Sequence, residues 1–393
     1  MTAVLASIPR PVRFALFYGA FYLGFGAYLP YMPVWYEGRG LSPEMIGAAA
    51  AASMAGRVFA APLGAMLADR APKKRWAVLT YALVSFFAFA AFIPATNPWA
   101  ILILAGLAGG AFTGIMPIID AFAVQESSRR RFAFGPPRAF GSATFILGNV
   151  GAGWLIGWLG GEAALAWTLI GAALAVLTAL LLPEGRNPRA PEAAPTDPAA
   201  KTGVVAAMLS NGLPLAFAAS ALIQGAHGFY YGFSAVAWRA EGVPAGAVGL
   251  LWATGVGAEI VFFALSARLL SSMSPAKVLA LGGAVSVVRW LALAASPPLW
   301  LLFPLQLLHA FSFSATYLGF LRYAADNSPQ RFASMAQAIN SAFSGGLVLA
   351  LAAYASGFAY SAYGAGGFAV MAIPSGLGLL FAFWLVQSAR TQP

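Results

Sequence analysis

Apolar residues in this chain do not alternate with polar ones. They gather in long runs separated by short polar or basic breaks. Twelve runs can be drawn, over residues 14–36, 44–68, 76–94, 99–124, 137–159, 163–182, 213–238, 246–269, 278–296, 299–321, 333–355 and 367–387. A helix needs about twenty apolar residues to cross the hydrocarbon of a bilayer, whereas barrel strands are shorter and alternate. The pattern predicts an all-α membrane protein with twelve transmembrane helices.

The longest polar stretch runs from Pro183 to Gly212 and carries Glu184, Arg186, Pro188, Arg189, Pro191, Pro195, Asp197 and Pro198, the composition of a flexible linker. It divides the runs six and six. The expected domains are therefore two six-helix bundles, residues 1–182 and 213–393, joined by a cytoplasmic linker over 183–212. A short echo points to duplication: Ser128-Arg-Arg-Arg131-Phe132-Ala133 follows the fourth run, and Ser328-Pro-Gln-Arg331-Phe332-Ala333 follows the tenth. Two parallel repeats with a substrate site between them near mid-membrane is a known transporter plan.

Composition agrees. Hydrophobic residues make up 60% of the 393 and charged residues 9%, with a mean hydropathy of +0.78, where soluble domains are about a quarter charged. The net charge of +10 would suit nucleic acid, but its placement says otherwise. All but five of the 22 Lys and Arg lie at the termini or in every second loop; the exceptions are Arg39 and Arg239 in the opposite loops and Arg57, Arg138 and Arg289 inside runs. That asymmetry is the positive-inside rule, and it puts both termini in the cytoplasm. No nucleic-acid partner is expected. The chain has no cysteine, so neither a disulfide framework nor a thiolate site can form. Its two histidines, far apart in sequence, are too few for a metal centre. No cofactor is expected. The N-terminus lacks a short apolar core with a small-residue cleavage site, so no processing is expected.

Five charged side chains fall inside the runs: Arg57, Asp120, Arg138, Glu259 and Arg289. His227 and His309 lie there too. An ion at the bilayer centre costs about 2.5 kcal/mol or more, so each needs a partner, a water-filled cavity or a function. Asp120 and Arg138 sit on consecutive runs either side of a short loop, which brings them to similar depth; the pair can gate, bind a polar substrate or simply neutralise itself. Glu259 is the sole acid between Val248 and Leu265. It is a proton carrier by residue chemistry, or else a structural partner for Arg289. His309 and His227 can relay protons, hydrogen-bond a substrate, or only join helices. Gln224, His227 and Tyr231 fall at i, i+3 and i+7, on one helix face. Arg57 is either an anchor for a substrate carboxylate or an arginine that snorkels. In the first run Tyr22 and Tyr28 are candidates to line a cavity, while tyrosines near run ends are read as interfacial anchors.

Ala65-Met-Leu-Ala-Asp69-Arg70-Ala-Pro-Lys73-Lys74-Arg75, after the second run, resembles the signature loop of the major facilitator superfamily, with Ala65 and Pro72 in place of the usual glycines. The resemblance implies a latch at Asp69 and Arg70 that breaks as the halves rock; the basic run also serves topology. From Asp120 through Phe134-Gly, Arg138 and Phe140-Gly, and again at Ser286-Val-Val-Arg289 and Leu308-His309-Ala-Phe311, the chain resembles the lactose permease branch. That likeness implies substrate contacts for Asp120 and Arg138. Ser312 stands where that branch carries its proton-bearing Glu, and the seventh run has no acid, so that proton site is not intact here. Ile223-Gln224-Gly-Ala-His227-Gly-Phe-Tyr230-Tyr231, Leu251-Trp252 to Glu259, and Leu308-His309 with Leu321-Arg322-Tyr resemble the phenylpropionic acid transporter family more closely. That resemblance implies proton-coupled uptake, and the family's name suggests an aromatic or other small organic acid as the solute.

The expectation is a secondary transporter of the bacterial inner membrane, a monomer in the lipid bilayer that imports a small organic solute with protons and is not an enzyme. Glu259, Arg289 and His309 are assigned to proton coupling. Asp120, Arg138, Gln224, His227, Tyr231, Arg57, Tyr22 and Tyr28 are assigned to substrate, and Asp69 and Arg70 to gating. Rival readings are a sugar or nucleoside symporter, a drug exporter and, more remotely, a polytopic membrane enzyme. Against export, Leu147-Gly-Asn-Val-Gly-Ala-Gly153 lacks the Gly-Pro-Gly pattern of that class. Against an enzyme, no clustered catalytic pair stands near a membrane face.

Overall fold

The computed structural model describes residues 8–185, 203, 206–328 and 333–391, and all regular structure among them is helical. Arg186, Arg189 and Lys201 of the expected linker, and Arg331-Phe332 of the second-half echo, lie outside the described residues. The first half forms α1 (Arg10–Gly38), α2 (Pro43–Arg70), α3 (Lys74–Ala90), α4 (Pro98–Arg130), α5 (Gly135–Leu159) and α6 (Glu162–Ala179). The second half begins with α7 (Leu213–Gly225), α8 (Gly228–Ala240), α9 (Ala245–Leu269) and α10 (Pro275–Ala294). Then α11 (Leu299–Leu307) leads through a π-helical turn (Ala310–Ala315) into α12 (Thr316–Asn327). Next, α13 (Ala333–Ala342) leads through a second π-helical turn (Phe343–Val348) into α14 (Leu349–Tyr363). A 3₁₀ segment (Gly364–Met371) connects to α15 (Ala372–Thr391).

Sequence chemistry sets the helix ends. Pro98 opens α4 behind Asn97, whose Oδ1 accepts from the Trp99 amide at 2.9 Å, the geometry of a helix N-cap. Gly160 ends α5 at φ +79°, a backbone angle that favours glycine. Nine helical stretches among the described residues are long and apolar enough to cross a membrane, so the chain is a multi-pass membrane protein. Outward-facing Phe59, Ile103, Leu147 and Trp158, each more than 60% exposed, suit hydrocarbon as their solvent.

Three details depart from the sequence reading. The run expected over 213–238 is broken at Ala226 and His227 into α7 and α8. The gap expected between 355 and 367 is instead helical, because the small apolar residues there end one helix and pass into a 3₁₀ segment. Finally, Asp69 and Arg70 are not in a loop: α2 continues through Arg70, and only residues 71–73 connect it to α3.

The chain divides into two compact units, Met1–Ala190 with Trp238–Leu250 and Pro191–Ala237 with Leu251–Pro393. In the first, α1 packs on α5 and α6, and α2 packs on α4. The α2–α4 crossing is close because both helices present glycine: a Cβ on Gly110 would meet the Gly56 carbonyl carbon at 2.8 Å. An aromatic core of Phe21, Phe25, Phe89 and Phe112 fills the interior, with Phe21 and Phe112 centroids 4.7 Å apart. In the second unit, α10 and α7 pack on α15, and α12 packs on α10. A core of Leu213, Ala216, Leu279, Phe320 and Leu385 binds them.

Candidate functional site

The second unit gathers the candidates into one line of polar groups. Glu259 comes from α9, Arg289 from α10 and His309 from the residues joining α11 to its π-helical turn. His309 Nε2 lies 2.9 Å from Glu259 Oε1, and its Nδ1 lies 3.0 Å from Arg289 Nη1. A guanidinium only donates, so Nδ1 must accept. The ring proton therefore sits on Nε2 and is donated to Glu259, an assignment made from the partners. Arg289 fixes the tautomer, and the neutral imidazole links cation to carboxylate. The sequence allowed a direct Arg289–Glu259 pair; the structure puts His309 between them.

Arg289 is fully buried and bonds to three residues of one helical stretch. Nη1 also reaches Ser312 Oγ at 3.3 Å, and Nη2 reaches Gln306 Oε1 at 3.1 Å. The guanidinium lies over the Tyr230 ring at 4.7 Å and the Trp290 ring at 4.6 Å, so apolar burial is offset by cation–π contact. Two buried donors of this cluster, Arg289 Nε and Gln306 Nε2, have no hydrogen-bond partner among the described residues. The π-helical turn that begins at Ala310 is the kind of irregularity that helices often carry at functional positions.

His227 occupies the break between α7 and α8. Its Nδ1 donates to the Gln224 carbonyl at 3.0 Å, leaving Nε2 as an acceptor 3.4 Å from Ser312 Oγ. The Ser312 proton turns either there or to the His309 carbonyl at 3.3 Å. The two imidazole centroids are 5.2 Å apart, and Tyr231 stands 5.8 Å from His227. Gln224 donates to the Phe313 carbonyl at 3.2 Å. Gln224, His227 and Tyr231 thus meet as the spacing predicts, although the helix is broken between them. A Cβ on Gly228 would lie 2.6 Å from the Ala352 and Ala353 backbone, so glycine is what permits the break to seat against α14.

The first unit holds a separate pair. Arg138 Nε is 3.7 Å from Asp120 Oδ1, which also accepts from Tyr18 Oη at 2.6 Å. The Arg138 guanidinium lies over the Tyr22 ring at 4.6 Å, and Arg57 is within electrostatic reach of that tyrosine. Tyr28 is placed elsewhere, hydrogen-bonded to Ser53. Asp69 and Arg70 are exposed at the end of α2. The basic cluster beyond them pairs differently: Lys73 forms an ion pair with Glu184, and the Lys74 amide donates to the Gly185 carbonyl at 2.9 Å.

Several partners were missed from sequence. Tyr18 lies near the start of the first run, where tyrosines read as interfacial anchors, yet it is one helical turn from Tyr22 on the same face. Gln306 was visible as the lone polar residue between Leu299 and Leu308, three residues before His309. Glu126 is buried and ion-paired with Arg10, a contact between distant helix ends that no local spacing announces.

The MFS_1 like family is matched over residues 12–370. The chain belongs to that family. Across 360 residues this family member is 32% identical to the probable 3-phenylpropionic acid transporter of Escherichia coli, spanning 91% of this chain and 93% of that protein. It is 28% identical over 343 residues to the maltose permease of Geobacillus stearothermophilus, spanning 86% and 84%. Among solved structures, nucleoside transporter NupG superposes with a TM-score of 0.81 at 16% identity, covering 98% of this chain and all of that one. An auto-inhibited POT family peptide transporter gives 0.72 at 15% identity, covering 98% of each. At those identities the structures show the fold alone. With transporters among both its relatives and its structural neighbours, this MFS_1 like protein is a secondary transporter and not an enzyme.

Proposed function

We propose that this protein is a proton-coupled symporter of a small aromatic carboxylate in the bacterial inner membrane, working by alternating access as a monomer with both termini in the cytoplasm. Twelve crossings make up this reading. They are the nine long apolar stretches, the shorter α3, the broken pair α7–α8, and a division of Met335–Ser388 at its 3₁₀ segment. They group as two six-helix bundles, 1–182 and 213–393, about the linker.

The observation that carries the reading is the Glu259–His309–Arg289 line. Arg289 donates to His309 Nδ1, so the imidazole cannot take a second proton while that bond lasts. Glu259 is then the group that changes charge, and it is only 18% exposed. A mostly enclosed carboxylate on a neutral, oriented imidazole is suited to load a proton from one side and release it to the other. Asp120, Arg138, Tyr22 and Arg57 are assigned to the substrate in the first unit, and Gln224, His227 and Tyr231 in the second, with Tyr28 supporting the first. Asp69 and Arg70 retain the gating role.

The E. coli relative's name supports an aromatic acid. The maltose permease likeness, together with Asp120 accepting a hydroxyl proton from Tyr18, favours a sugar as the second reading. The deciding experiment adds 3-phenylpropionate, then a sugar and nucleoside panel, to lightly buffered, energy-depleted cells and records external pH. Alkalinisation with the carboxylate, above that of cells lacking the protein and lost in Glu259→Gln, supports the reading. Alkalinisation with a sugar alone sinks it in favour of the second.

A further inference from the structure

Buried charge in the second unit is limited to very few groups. Among its described residues the acids are Glu259 and Asp326, and Asp326 is exposed at the end of α12. The groups facing Glu259 are His309 beside it, Arg289 beyond His309, Tyr230 over the guanidinium, and His227 and Tyr231 next to the imidazoles. His309 is held in a single neutral tautomer by its bond to Arg289, and His227, with its Nδ1 on the Gln224 carbonyl, is buried beside His309 next to the guanidinium, where a second positive charge is disfavoured. One fixed cation, Arg289, therefore faces one carboxylate, Glu259. When Glu259 takes a proton, a fully buried guanidinium is left without its counter-charge, a state that low-dielectric surroundings strongly disfavour.

We propose that the carboxylate of the substrate replaces Glu259 as the counter-charge of Arg289, so that one proton travels with one monoanion and the transport cycle moves no net charge. This rests on the reading of proton-coupled carboxylate uptake and adds its stoichiometry and electrical character. Among the described residues Arg289 Nε and Gln306 Nε2 are buried donors with no hydrogen-bond partner, adjacent through the 3.1 Å bond between Arg289 Nη2 and Gln306 Oε1. Gln306 cannot relieve this by turning over, because its NH2 would then face a guanidinium that only donates. The two vacant donors, with the His309 Nε2 proton that a neutral Glu259 holds more weakly, offer the N–H groups that a carboxylate accepts. The Asp120–Arg138 pair in the first unit is self-neutralised and leaves the count unchanged. A neutral solute would leave Arg289 uncompensated, and its proton would carry charge across the membrane.

The test uses the full chain in proteoliposomes, with labelled 3-phenylpropionate as probe. Initial rates are taken after subtracting protein-free vesicles, because the free acid crosses lipid unaided. An inward proton gradient at zero membrane potential is expected to raise uptake at least tenfold, while an inside-negative potassium–valinomycin potential at equal pH leaves it unchanged. Binding read from tryptophan fluorescence is expected to weaken about tenfold per pH unit once Glu259 ionises, one proton being linked to one ligand. In Glu259→Gln that dependence disappears while binding remains. Protein-dependent uptake that responds to the potential overturns the proposal and leaves the carboxylate reading standing. No uptake of this probe, with accumulation of a neutral sugar or nucleoside instead, overturns both.

Discussion

The two ionisable clusters of this transporter differ in how closely each is enclosed. Asp120 and Arg138 are 39% and 33% exposed and stand 3.7 Å apart, with Tyr18 and Tyr22 completing the group. Glu259 and His309 are 18% and 6% exposed, 2.9 Å apart, and lean on an arginine with no exposure at all. A partly accessible pair opens and closes at lower cost than an enclosed one, so it suits the binding and release of polar groups. In the enclosed cluster a charge cannot change unless another changes with it. The difference in burial is the physical ground for giving the titrating step to the second unit, while the more accessible pair of the first is suited to hold and release further polar groups of the substrate.

The comparison breaks most visibly at Arg289. Arg289→Leu is expected to abolish transport and to lower stability by about 3–5 kcal/mol, since it leaves Glu259 and His309 buried without their cation; thermal unfolding in detergent reads the loss directly. Glu259→Gln keeps the shape of the site and removes only the charge. Gradient-driven accumulation is expected to fall to background in that variant while exchange of labelled for unlabelled substrate persists, a separation that counterflow measures. Asp120→Asn, in the exposed pair, is expected to weaken substrate affinity about tenfold, or about 1.4 kcal/mol, without uncoupling; titration of transport rate against substrate tests it. Smallest is Lys73→Ala, which removes a surface ion pair with Glu184 and is expected to change stability by less than about 1 kcal/mol.

Much of this is legible in the sequence. Twenty-residue apolar runs fix helices because hydrocarbon leaves the backbone no other partner, and rare charges inside those runs mark themselves. Helical spacing placed Gln224, His227 and Tyr231 together, and antiparallel neighbours placed Arg138 near Asp120. Irregular backbone was not legible. The break at Ala226 and His227 depends on Gly228 meeting the Ala352 backbone on another helix, which local propensity does not encode. Nor did sequence reveal that His309 would stand between Arg289 and Glu259, because that depends on how α10 and the π-helical turn are rotated against α9. The ion pairs of Arg10 with Glu126 and Lys73 with Glu184 join positions more than a hundred residues apart, each in a setting that reads as ordinary surface charge.

The most direct test of the account sets the two carboxylates side by side in proteoliposomes, Glu259→Gln against Asp120→Asn, each assayed for gradient-driven accumulation and for counterflow of 3-phenylpropionate. Glu259→Gln is expected to exchange substrate but no longer accumulate it, while Asp120→Asn accumulates it with weaker affinity. Uncoupling in Asp120→Asn with accumulation intact in Glu259→Gln would contradict the account, and would place the titrating step in the exposed pair.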